Sequence, residues 1–172
     1  MWGNRSTKNS DMILAASELC VVPETLQDAD EIYKYMGCDP EITRYTGWNP
    51  YQTLQATVDK IEQDIRSDDG SYSWVIKKDG EFVGTIGAYD YQPNGASIEI
   101  GYSIARKFWG KGYAGAAVKA VVEYLLDKPQ IQVIRAWSHI ENLASIRILL
   151  STGFEKKNKD GEQITFELTR KF

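Results

Sequence analysis

The stretch richest in chemistry runs Arg106-Lys107-Phe108-Trp109-Gly110-Lys111-Gly112-Tyr113-Ala114-Gly115 and stands between a β-prone run and a helical one. Gly110 and Gly112 allow the backbone a tight turn and a close approach to a ligand, and the unpaired N–H groups of a helix start attract an anion. Arg106, Lys107 and Lys111 add local positive charge to a chain of formal net charge -4, which suits a ligand with several phosphates. An ordinary loop with solvated lysines uses the same residue types, so context has to decide. Gly110 to Gly115 also spells G-x-G-x-x-G, but that dinucleotide fingerprint belongs to the first βαβ unit of a parallel sheet, with an acid ending the next strand. Here the next β-prone run ends Ala136-Trp137-Ser138-His139 with no acid before Glu141, and an antiparallel meander precedes the loop.

Glu99 lies between Ile98 and Ile100, so strand alternation puts it on the opposite sheet face, where a partly desolvated carboxylate gains the basicity of a proton acceptor. An outward charge on a half-exposed strand has the same pattern. Asn142 opens a helix after a strand and is a preferred N-cap; Ser145 follows one turn later. His139 is the one histidine, and at a strand end it reads as a hydrogen-bonded structural residue before a proton shuttle. With two cysteines, Cys20 and Cys38, and no CxxC, neither a zinc site nor a disulfide framework has its ligands, and a reducing cytoplasm is the expected compartment. The acidic balance speaks against nucleic acid as a partner, and no apolar run is long enough for a membrane span.

At 172 residues one domain is expected over 19–172, after a loosely ordered leader at 1–18. The pattern predicts a strand at Leu19 to Val22, a helix from the Thr25 cap to Met36, and a second helix over Thr53 to Ile65. Asp79-Gly80 predicts a hairpin between Trp74–Ile76 and Phe82–Ile86. A strand over Ala96 to Ile104, a helix over Gly112 to Leu126, a strand over Ile131 to Ser138, a helix over Asn142 to Ser151 and a closing strand over Gln163 to Thr169 complete an α+β order. The aromatic stretch Tyr45, Trp48, Tyr51 has no clear period and is read either as core or, if exposed, as rings that suit a cationic amine.

Four segments in this order, Ile98-Glu99-Ile100-Gly101-Tyr102, Trp109 to Ala114, Glu141 to Ser145 and Gly153-Phe154, resemble the GNAT acetyltransferases, in the branch that contains the ribosomal-protein alanine N-acetyltransferases. The resemblance covers nearly everything from Leu19 onward. It implies a central mixed, mostly antiparallel sheet of about seven strands flanked by about four helices, with a splayed parallel pair of strands, Ile98 to Ile104 and Ile131 to Ser138, holding the co-substrate. It implies acetyl-CoA as co-substrate and no metal, and a primary amine as acceptor, either a protein N-terminus or a small amine, in a monomer or homodimer. The family's pyrophosphate motif maps onto Trp109, Gly112 and Ala114, with Trp109 departing from the Gln or Arg of its first position, and the resemblance extends cofactor contact to Ile104, Gly110, Lys111, Tyr113, Gly115 and Asn142. Glu99 takes the role of base and Ser145 that of acid for the leaving thiolate. Many relatives place a tyrosine acid where this chain has Leu149, which cannot donate a proton. A non-catalytic acyl-CoA-binding or regulatory module is therefore the alternative.

Overall fold

The computed structural model describes residues 13–16, 19–46 and 53–171. Ile13–Ala16 (β1), inside the stretch expected as a leader, pairs antiparallel with Leu19–Pro23 (β2) and forms one sheet edge. Beyond Pro23 the chain turns into a helical run whose start is a capping box. Asp28 accepts from the Thr25 N–H at 2.9 Å and from its hydroxyl at 2.8 Å. One 3₁₀ turn (Leu26–Asp28), an α-helical turn (Ala29–Ile32, α1) and a π-helical turn (Tyr33–Gly37) follow without a break. Asp28 is also ion-paired to Lys77 at 2.9 Å and is 4% exposed. Asp28→Ala removes the cap and strips Lys77 of its partner, for an expected loss of about 2–3 kcal/mol, read as a lower urea midpoint at unchanged m.

Pro40–Thr43 (α2) is capped by Asp39, and Leu54–Arg66 (α3) by the Thr53 hydroxyl, which accepts from the Ala56 N–H at 3.1 Å. Tyr72–Lys78 (β3) and Glu81–Gln92 (β4) form the expected hairpin, with Asp79 and Gly80 at φ 51° and 82° as in a two-residue turn that matches strand twist. Ser97–Ile104 (β5) returns antiparallel to β4, Tyr113–Leu126 (α4) crosses over, and Val133–His139 (β6) runs parallel to β5. Leu143–Ser151 (α5) precedes Glu155–Asp160 (β7) and Gln163–Thr169 (β8). The described strands make one eight-stranded sheet in the order β1-β2-β3-β4-β5-β6-β8-β7. The expected count of about seven strands is met by β2 to β8, with β1 added at one edge and the fully exposed, Lys-rich β7 forming the other.

Strand register sorts the faces. Trp74 stands opposite Ile86 and Ile86 opposite Tyr102; Trp74 packs edge-on against Tyr124 of α4, and Tyr102 bonds Ser145 of α5. Both helices therefore cover that face. Lys77 points the other way, to Asp28, on the face covered by α1 and α3. The core between the layers is aliphatic, with Trp74, Phe82 and Phe166 its largest buried rings. No described helix is long and apolar enough to cross a membrane.

Candidate active site

The parallel contact between β5 and β6 lasts only from Ser97↔Val133 to Glu99↔Arg135. β5 then runs on to Ile104 bonded to β4, and β6 to His139 bonded to β8, so their facing edges separate. A cleft of about 1200 Å³ passes through this gap and joins the two faces of the sheet. Backbone groups left unpaired where strands part are donors and acceptors for a ligand.

On the α4 face the cleft is lined by Gly110, Gly112, Tyr113, Ala114 and Gly115. Gly112, at φ 80°, is the N-cap of α4 and supplies no capping side chain, so the first-turn N–H groups have no i−4 carbonyl and point outward with the positive end of the helix dipole. A Cβ built on Gly110, Gly112 or Gly115 would meet nothing within 4 Å, which leaves the cradle open to a bulky anion. These features fit the diphosphate of a nucleotide-bearing co-substrate. Trp109 closes the other side: its Nε1–H donates to the Ile104 carbonyl at 2.7 Å, bracing the end of β5 with an indole that is itself half exposed. The flanking cations depart from expectation. Arg106 is held by both carboxylate oxygens of Asp39, Lys107 by Glu81 at 2.5 Å, and Lys111 lies over the Phe108 ring at 5.2 Å without lining the cleft. The backbone therefore carries the cradle, and Arg106 and Lys107 tie the loop to the scaffold.

Ser145 and Asn142 face the same cleft from α5. The Asn142 side chain accepts from the Ser145 N–H at 3.1 Å, so it caps the helix as well as lining the site. The Tyr102 hydroxyl lies 3.0 Å from the Ser145 Oγ, and burial pushes its pKa up to about 12. Leu149 is fully buried in the core and takes no part in the site.

On the opposite face Glu99 does not itself line the cleft. Tyr89 does, directly across the register from Glu99 and hydrogen-bonded to it, and a Cβ on Gly101 would come within 2.8 Å of the Tyr89 hydroxyl. That hydroxyl stands over Gly101, at the point where β5 leaves β6. Burial raises the Glu99 pKa; Arg135 opposes this and Asp90 adds to it. Asp90, at φ 53°, sits in a β-bulge after Tyr89 and holds Arg135 at 2.9 Å, so the bulge fixes both neighbours of Glu99. His139 is spent on structure: Nδ1 accepts the Glu141 N–H at 3.1 Å, which leaves Nε2 to donate to Glu162 at 3.3 Å. Tyr45 lines the cleft and meets the His139 ring at 5.1 Å; Trp48 and Tyr51 lie outside the described residues.

A family model described as an acetyltransferase (GNAT) domain matches residues 18–155. The chain belongs to the GNAT acetyltransferase family. It is 31% identical over 136 residues to the uncharacterized N-acetyltransferase p20 of Bacillus licheniformis, covering 77% of this chain and 76% of that one. To the uncharacterized N-acetyltransferase YoaA of Bacillus subtilis (strain 168) it is 30% identical over 149 residues, covering 84% of each. Among solved structures, the ribosomal L7/L12 α-N-protein acetyltransferase RimL in complex with coenzyme A superposes with a TM-score of 0.84 at 14% identity, over 92% of this chain and 98% of that one.

Within this GNAT domain three lining residues carry chemistry that the sequence patterns passed over. Tertiary pairing, which local spacing does not reveal, sets Tyr102 beside Ser145 and Tyr89 beside Glu99. Glu24 follows Pro23 at the end of β2 and gives no periodic signal, yet it lines the cleft and its pKa is pushed up to about 7, chiefly by burial. Its exit from the strand next to a charged helix was the available cue.

Proposed function

We propose that this GNAT-family N-acetyltransferase moves the acetyl group of acetyl-CoA to a primary amine, with a protein N-terminal α-amine as the favoured acceptor. One observation carries the reading: a single cleft leads from the glycine cradle, through the gap between β5 and β6, to the Tyr89 hydroxyl and the carboxylate behind it. Bound acetyl-CoA supplies an activated acyl group; this chain supplies position, a proton acceptor and a proton donor. The first-turn N–H groups of α4 hold the diphosphate, and the open edges of β5 and β6 hold the extended arm. The amine nitrogen attacks the thioester carbonyl carbon from the Gly101 side, the C–S bond breaks, and the proton leaving nitrogen passes by way of Tyr89 to Glu99. Ser145, polarised by Tyr102, returns a proton to the sulfur. Free thiols at Cys20 and Cys38 suit a reducing cytoplasm as the working compartment.

The acceptor preference follows from proton affinity. An α-amine with a pKa near 7.8 is about a tenth neutral at pH 7, whereas a lysine amine near 10.4 is neutral in less than about one molecule in a thousand, so the α-amine asks less of one carboxylate. Thiol release measured with a peptide bearing a free α-amine, against an N-blocked peptide bearing lysine, is expected to be faster for the first; equal rates would remove the preference. A module that only binds acyl-CoA releases thiol with neither. Ser145→Ala is expected to lower kcat about 10-fold, less than a full general-acid contribution because water substitutes, with KM for acetyl-CoA unchanged.

A further inference from the structure

The cleft extends well past the gap. On the face covered by α1 and α3, register sets four lining residues in one row across the sheet: the Glu24 N–H donates to the Ser73 carbonyl at 3.0 Å, Ser73 stands opposite Gly87, and Gly87 opposite Gly101. Ser, Gly and Gly form a floor without bulky side chains. Three strand spacings of roughly 4.8 Å make this trough about 14 Å long. The Tyr89 hydroxyl stands at its Gly101 end, where the amine reacts; Glu24 stands at the other, with Lys60 and Asp64 of α3 lining the cleft beside it.

The far end is anionic. The Lys60 ammonium is bound to Asp64, and among the described residues no side-chain hydrogen bond reaches the Glu24 carboxylate. Burial and the charge of Asp64 push Glu24 up to about 7, Lys60 draws it down, and Asp28 adds a smaller push. Asp28 is itself neutralised by Lys77 of β3. A desolvated carboxylate without a donor costs the fold stability, so its place is that of a group awaiting a ligand.

We propose that Glu24, backed by Asp64, selects acceptors that carry a second cationic group roughly 10–14 Å from the reacting amine. The inference rests on the acyl-transfer reading of the site. Two sources share this chemistry: a long linear polyamine, and a peptide N-terminus with a basic side chain about three or four residues in, at roughly 3.3 Å per residue.

The test compares thiol release by the wild type and Glu24→Gln with α,ω-diamines of graded length against monoamines of equal length, and with Ala-Gly-Gly-Lys amide against its norleucine counterpart. In the wild type a dication of matching length is expected to be preferred at least about 10-fold, through KM rather than kcat, and short diamines not at all. In Glu24→Gln this ratio falls toward one. The wild-type ratio is also expected to climb between about pH 6 and about pH 8, because Glu24 loses its proton there while the distal ammonium keeps its own, and this holds the test open if the variant fails to fold. Preference confined to diamines identifies the small-molecule source, and preference confined to the peptide the protein one. Absence of any preference, or the same ratio in wild type and variant, overturns the inference. A thermal shift by the long diamine, with CoA bound, that Glu24→Gln loses upholds the trough even without turnover, which would instead sink the acyl-transfer reading; no shift and no turnover sinks both.

Discussion

Gly112→Glu is expected to abolish measurable acetyl-CoA binding, a loss of at least about 100-fold, while the protein still folds. Two effects combine. Gly112 sits at φ 80°, where any L side chain carries a strain of about 1–2 kcal/mol. A built Cβ there meets nothing within 4 Å, so the glutamate is free to project into the cradle and set a carboxylate against the diphosphate, where the first-turn N–H groups would otherwise bind the ligand. Gly112→Ala separates the effects: it carries the strain without the charge, so its melting point falls as in the glutamate variant while most of its affinity remains. Calorimetric titration of the three proteins with acetyl-CoA checks this. Equal loss in both variants would mean that loop geometry, and not open space for an anion, governs binding.

Glu99→Gln is expected to lower kcat/KM for the acceptor by about 10²–10³-fold with acetyl-CoA affinity unchanged, since the carboxylate stands behind Tyr89 and outside the cleft. The pH dependence fixes the role. Burial raises the Glu99 pKa above the usual carboxylate range, and a base works only when ionised, so wild-type kcat/KM should rise as pH climbs through that raised value. The variant should lose this acid limb and keep the limb at higher pH that belongs to the amine's own ionisation. Tyr89→Phe cuts the link between cleft and carboxylate and should reproduce much of the loss in kcat. An unchanged acid limb in Glu99→Gln would take the role of base away from Glu99.

Much of this was legible because it is local. The Asp79-Gly80 turn, the Thr25 and Asn142 caps and the strand-to-helix turn at Gly112 are each decided within a few residues, and each stands where spacing put it. What escaped depends on distant pairing. β7, Glu155-Lys-Lys-Asn-Lys-Asp160, has no apolar alternation and is a strand because β8 offers it an edge; its lysines then shield that edge from other chains. Arg106 reads as a phosphate ligand until Asp39, 67 residues away, claims it. Glu99 was placed on the correct face by alternation, but its neighbour was not, because the bulge at Asp90 sets where Tyr89 points. Glu24 belongs to the site only through a row of register that crosses four segments of chain.

The most direct test of the central claim is mass spectrometry of a peptide with a free α-amine after incubation with the enzyme and acetyl-CoA, with free CoA thiol measured in the same sample. The account predicts one acetyl group on the α-amine, matched mole for mole by released thiol and dependent on Glu99; saturable acetyl-CoA binding with no acetylated amine in a panel of peptides and polyamines would contradict it.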